Sequence, residues 1–172
     1  SHYYEKLLDK EENKKWKVTN NPKLCYVCGG AGVYNSTFKG GLYDDTSLYE
    51  LRYNVVEKLK NKPNLTLYYK MGYNTENYGI EFEQEIVNGL WKNIKAVPSS
   101  KKLVEILCEM DVFIIEIPST TLFEVLTTSK PVILLVEPRA LALTDKAENM
   151  LKNRVTIVRS KKEMGLCLDD IV

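Results

Sequence analysis

The sequence predicts an α/β domain with a doubly wound, mostly parallel sheet of about six strands. Strand-like and helix-like segments alternate from residue 23 to the end. The late strands DVFIIE (111–116) and PVILLVE (131–137) are apolar throughout, as strands covered on both faces are. At 172 residues the chain suits one such domain, able to bury roughly 70 % of the surface its unfolded form exposes.

Taken in order, residues 3–15 (YYEKLLDKEENKK) are charged and helix-prone with few apolar anchors, so residues 1–22 are expected to be an N-terminal helix or connector to a further domain. Asn20, Asn21 and Pro22 end it, and residues 23–172 form the α/β domain. KLCYVCGG (23–30) is a strand closing on glycine, followed by a glycine-rich loop to Asp45. Ser47 and Glu50 make a capping box ahead of Leu48, Leu51, Val55, Val56 and Leu59 at helical spacing. LTLYYKMG (65–72) is a second strand, residues 80–91 a helix, and IKAVP (94–98) a third strand. Ser99 or Ser100 caps a helix that turns Leu103, Val104, Ile106, Leu107 and Met110 inward. A helix over 118–129 separates the two apolar strands. A helix near 145–152, the strand VTIV (155–158) and a helix opened by Ser160 and Glu163 complete the chain. The chain opens on Ser1 rather than methionine, which leads to the expectation of a piece of a longer protein, with Ser1 and His2 as remnants of a tag.

Charge and composition narrow the function classes. Lys plus Arg number 24 against 23 Asp plus Glu, a net charge of +1, so no basic excess marks a nucleic-acid partner. No apolar run reaches the roughly 18 residues that span a membrane. The single histidine is His2, which leaves no Ser-His-Asp triad, Cys-His pair or histidine metal cluster in this chain. Cys25 and Cys28 form a CxxC, but inside an apolar strand where residues three apart face opposite sides. Cys108 and Cys167 lie alone in helical patterns, so buried thiols are expected rather than a redox pair or a metal site.

Ligands of an open parallel sheet bind beyond the carboxyl ends of its strands, and three loops qualify: 29–45, 72–80 and 117–121. After DVFIIE come Ser119, Thr120 and Thr121, three hydroxyls at a helix start, where unpaired amides favour a phosphate. Glu124 lies about one turn further in, within reach of a sugar hydroxyl pair. The plainer reading is that hydroxyls cap helices everywhere, and Thr121 with Glu124 is itself a capping box. Gly30 and Gly32 begin a GxGxxN that lacks the third glycine of the dinucleotide fingerprint, yet they fit backbone passing close to a ligand. Lys70 ends the second strand at the same edge, as a phosphate or carboxylate partner or a solvated lysine, and Arg139 carries the same two readings. Tyr68, Tyr69, Tyr73 and Tyr78 serve either to stack a base or as plain core.

The stretch MDVFIIEIPSTTLFEVLTTSKPVILLVEP (110–138) resembles the C-terminal, donor-nucleotide-binding half of GT-B glycosyltransferases, surface-polysaccharide transferases above all. It is similar, more distantly, to CDP-glycerol glycerophosphotransferases and UDP-N-acetylglucosamine 2-epimerases. The matching positions are Glu116, Ser119, Thr120, Thr121, Glu124, Lys130 and Pro131. The resemblance implies a Rossmann-like domain in which Ser119, Thr120 and Thr121 hold the donor diphosphate and Glu124 the ribose hydroxyls. The family's Lys-x-His-Pro is matched only by Lys70-Met71-Gly72-Tyr73, without its histidine. It further implies no cofactor or bound metal, a nucleotide-sugar donor, and a carbohydrate or lipid-linked acceptor. An N-terminal GT-B domain supplies the catalytic base, so no catalytic residue is assigned in this chain. The expected location is cytoplasmic, with attachment to the inner face of the membrane as a variant. A non-catalytic nucleotide-binding module and an epimerase-like hydrolase are the alternatives.

Overall fold

A computed structural model describes residues 20–29, 45–72, 81–136 and 142–171. Six strands build one sheet: β1 (Lys23–Val27), β2 (Thr66–Lys70), β3 (Ile94–Val97), β4 (Val112–Ile115), β5 (Val132–Leu135) and β6 (Val155–Val158). Their order is β3-β2-β1-β4-β5-β6, and every pairing is parallel. The expected Rossmann-like, doubly wound α/β class is therefore found. Helices α1 (Asp45–Leu59), α2 (Glu81–Val87), α3 (Thr120–Leu126), α4 (Asp145–Leu151) and α5 (Lys161–Ile171) cover the two faces.

The two-residue alternation of the strands sorts the core into two layers. Leu24, Tyr26, Leu67, Tyr69, Val112 and Ile114 meet Val55, Val56 and Leu59 of α1, Phe82 and Ile86 of α2, and Met164 and Leu168 of α5. Cys25, Val27, Phe113, Ile115 and Val132 meet Leu103, Ile106 and Leu107, with Leu122 and Val125 of α3. Cys25 and Cys28 thus lie in opposite layers, both buried and free, as expected for ordinary thiols.

Several boundaries differ from expectation. The segment after β3 is not an α-helix capped by Ser99 or Ser100 but two short 3-10 turns, Leu103–Glu105 and Leu107–Glu109. Lys102 offers the first no side-chain cap, and Ile106, at φ −114°, breaks the run between them. The buried Lys130 ammonium takes the Leu107 carbonyl at 2.5 Å, a group a continuous helix would bond internally. Helix α1 begins at Asp45, so Ser47 stands inside the helix rather than capping it. At α5, opened as expected by Ser160 and Glu163, Ser160 Oγ accepts from the Glu163 amide at 3.1 Å, and Glu163 accepts from the amide of Arg159, the residue before the cap, at 2.7 Å. Most of the expected N-terminal connector, the loop holding Gly30 and Gly32, Tyr73, Tyr78 and Arg139 lie outside the described residues. No described helix is long and apolar enough to cross a membrane.

Candidate functional site

Helix α1, which follows β1, and helix α3, which follows β4, pack on opposite faces of the sheet, so the winding reverses between these two neighbouring strands at its carboxyl edge. Beside that switch point lies an open cleft of about 740 Å³. Val27, Cys28 and Gly29 border it from β1, Lys70, Met71 and Gly72 from β2, Ser99 and Lys101–Glu105 from the segment after β3, and Ser119, Thr121 and Glu124 from the start of α3. The structure thus places Ser119, Thr121, Glu124 and Lys70 around one cleft. Thr120 is exposed and stands outside the lining.

The capping explanation of the hydroxyls is not what the structure contains. Helix α3 starts at Thr120 with Ser119 as its extended N-cap (φ −114°, ψ −164°), and no side chain caps its amides. Thr121 therefore sits inside the first turn and forms no capping box with Glu124. Instead Ser119 Oγ lies 3.0 Å from Thr121 Oγ1, on the exposed rim of the cleft. The helix is only seven residues long, so the field at its start is modest, and the lysines around the cleft matter more to an anion.

Lys70 is neither a solvated surface lysine nor loosely placed. It is buried, and Nζ donates to the carbonyls of Met71 and Pro98 at 3.1 Å and of Ser99 at 3.3 Å. Those bonds engage the three donors of an ammonium and tie the turns after β2 and β3 beneath the cleft. Lys101 and Lys102, which the sequence reading passed over, are the exposed cations at its rim. Their adjacency after a strand end was the available signal. Tyr69 is wholly buried, and Tyr68 is half-buried beneath the Lys95 ammonium.

Behind the cleft lies an ionic cluster that was not anticipated. Arg52 of α1 is fully buried. Its Nε meets Glu116 Oε1 at 2.9 Å and its Nη2 meets Oε2 at 3.0 Å. Nη1 reaches Glu83 Oε1 at 3.1 Å, and the Tyr69 hydroxyl donates to the same oxygen at 2.6 Å. Nη2 also donates to the Gly29 carbonyl at 2.9 Å, while the Gly29 amide donates to Glu116 Oε2. Burial lifts the Glu116 carboxyl above its ordinary pKa, against the opposing pull of Arg52 and the Gly29 amide. The signal was present in α1: Arg52 sits beside Leu51 and three before Val55, at an inward position of the helical repeat.

A second hollow of about 360 Å³ lies between α1, the ends of β5 and β6, and the start of α5, lined by Tyr49, Tyr53, Arg159 and Lys161 among others. None of the residues predicted from the sequence borders it.

No protein-family model matches the chain, and no curated protein matches it. Among solved structures, Anabaena HepE in complex with UDP and glucose matches with a TM-score of 0.51 at 15 % identity, over 99 % of this chain and 41 % of that one. HepE in complex with UDP-glucose matches with a TM-score of 0.53 at 14 % identity, over 98 % and 42 %. This chain spans about two fifths of the length of that protein, and what the two share is the Rossmann-like fold.

Proposed function

We propose that this chain is the nucleotide-sugar-binding, C-terminal half of a GT-B-like glycosyltransferase or polyol-phosphate transferase that extends a cell-surface polysaccharide. One observation carries the reading: a cleft at the switch point joins hydroxyls, lysines and a carboxylate on a fold shared with a protein solved with UDP-glucose.

In this reading the diphosphate lies against Ser119, Thr121 and the amides opening α3, whose first N–H groups have no intrahelical partner. Lys101 and Lys102 offset its charge from the opposite rim, and Lys70 contributes from below. Glu124 accepts from the ribose hydroxyls. Preorganised donors of this kind stabilise the charge that grows on a departing diphosphate. Gly30 and Gly32 let the loop after β1 approach the donor sugar. The lysines supply the countercharge, so no cofactor or metal is expected and binding should persist in EDTA. The acceptor, carbohydrate or lipid-linked, and the catalytic base belong to a partner N-terminal domain. The chain alone binds and does not transfer. The setting is cytoplasmic, at or near the inner face of the membrane.

Titration calorimetry of the chain with UDP, GDP, CDP and ADP tests this directly. One nucleoside diphosphate should bind, with Ser119→Ala and Glu124→Ala each weakening it about tenfold, a loss of about 1.4 kcal/mol. Failure of all four to bind would overturn the reading. Unchanged affinity in both variants would remove the site assignment alone. A non-catalytic nucleotide-binding module or an epimerase-like hydrolase shares the binding result. Reconstituting transfer with an upstream domain separates those alternatives.

A further inference from the structure

Two backbone facts define a gap at the heart of the molecule. The ladder between β1 and β4 ends where the Glu116 amide meets the Val27 carbonyl at 3.3 Å. The next amide, that of Cys28, continues the ladder on the other side, meeting the Lys70 carbonyl of β2 at 3.0 Å. The helices that follow these strands, α1 and α3, lie on opposite faces of the sheet. In the described residues the tie between the turns after β1 and β4 is made by side chains. Glu116 takes the Gly29 amide, Arg52 takes the Gly29 carbonyl, and Arg52 grips both oxygens of Glu116.

We infer that Glu116, locked to Arg52, is the positioning residue of the cleft: it fastens the β1 turn to the β4 turn and so sets the spacing in which the nucleotide is held. This rests on the nucleotide reading of the cleft given above.

Three observations support it. Gly29 and Ser119 both border the cleft, and Ser119 follows Glu116 by only three residues. Both backbone polar groups of Gly29 are spent on the cluster, so this glycine acts as an anchor point and not as a phosphate cradle. Its missing side chain matters too: a Cβ there would stand 2.3 Å from Ile117 Cδ1 and 3.2 Å from Glu116 Oε2, so any side chain at this position displaces that of Ile117 and crowds the Glu116 carboxylate. The chemistry points the same way. Well-packed apolar side chains stabilise a core at least as well as a buried ion group, whereas bidentate arginine–carboxylate pairing adds fixed geometry. On the far side Glu83 accepts from Arg52 Nη1 and from the Tyr69 hydroxyl, and neither bond involves Gly29.

The test compares Glu116→Gln with Glu83→Gln, which loosens the same cluster away from Gly29. Amide NMR spectra of the unliganded 172-residue chain are read first, then UDP affinity at a temperature where both variants are folded. Glu116→Gln should move the amide signals of Gly29, Ser119 and Thr121 and weaken UDP about tenfold. Glu83→Gln should lower the melting temperature similarly, leave those three signals in place and change affinity less than about twofold. Stationary Ser119 and Thr121 signals in Glu116→Gln, or equal effects of the two variants on affinity, would overturn the inference. Gly29→Ala crowds the Glu116 carboxylate without altering a charge and covers the case in which Glu116→Gln fails to fold. It should move Ser119 and Thr121 as well, and their immobility would count as the same refutation. If the parent chain does not bind UDP, the choice of nucleotide falls, while the amide comparison still decides the positioning role.

Discussion

Tyr26 and Tyr69 stack in the first core layer with ring centres 5.3 Å apart, but their hydroxyls differ. That of Tyr69 donates to Glu83, whereas that of Tyr26 is buried with no hydrogen-bond partner among the described residues. An unpaired buried hydroxyl is a desolvation cost without return, so Tyr26→Phe should stabilise the chain by about 1 kcal/mol. Tyr69→Phe strips a donor from a buried carboxylate and should destabilise it by about 2 kcal/mol. Urea unfolding midpoints of the two variants check the opposite signs. Cys25 adds a pH dependence, since burial pushes its thiol up to about 12 against an ordinary 9. Between those values the unfolded chain ionises this thiol while the native one keeps its proton, so stability is complete below about pH 9 and falls as pH rises toward 12. The expected loss from this group is at most about 1.4 kcal/mol per pH unit, and Cys25→Ala should flatten the slope. Tyr26 and Tyr69, also raised by burial, steepen the same alkaline decline.

Helices α3 and α5 open differently, and the difference separates stability from binding. At α5, Ser160 caps the Glu163 amide while Glu163 takes that of Arg159, so Ser160→Ala should cost about 1 kcal/mol, read as a lowered melting temperature. At α3, Ser119 makes no cap bond, so Ser119→Ala should leave stability within about 0.5 kcal/mol while weakening the nucleotide. Both serines look alike in the sequence. Which one serves its own helix depends on where the chain enters it, and that is set by the strand before. The same lesson holds for residues 99–110, whose apolar spacing fits an α-helix. The crossover to the far side of β1 is made with two 3-10 turns, one carbonyl being taken by Lys130 from a distant segment.

At the scale of the whole molecule, the site exists because the winding reverses between β1 and β4. A ligand bridging turns from both halves of the sheet binds the native state alone, so it should stabilise the fold as a unit. At a hundredfold excess over its Kd, UDP should raise the unfolding free energy by about 2.7 kcal/mol, with a single cooperative transition retained. Thermal scans with and without nucleotide test this.

The sequence alone determined the parallel α/β class, because strands buried on both faces must be apolar throughout and β4 and β5 are. It also located the hydroxyls at Ser119 and Thr121 and the carboxylate at Glu124, which follow a strand end by short, countable spacing. Tertiary structure decided the rest: that Lys70 is consumed by carbonyls, that Lys101 and Lys102 edge the cleft, and that Arg52, Glu83 and Glu116 meet. Glu83 and Glu116 lie 31 and 64 positions from Arg52 along the chain. No local periodicity carries such a pairing. It arises only when the parallel crossovers bring α1 and α2 against the end of β4 and burial forces each charge to find its counterpart.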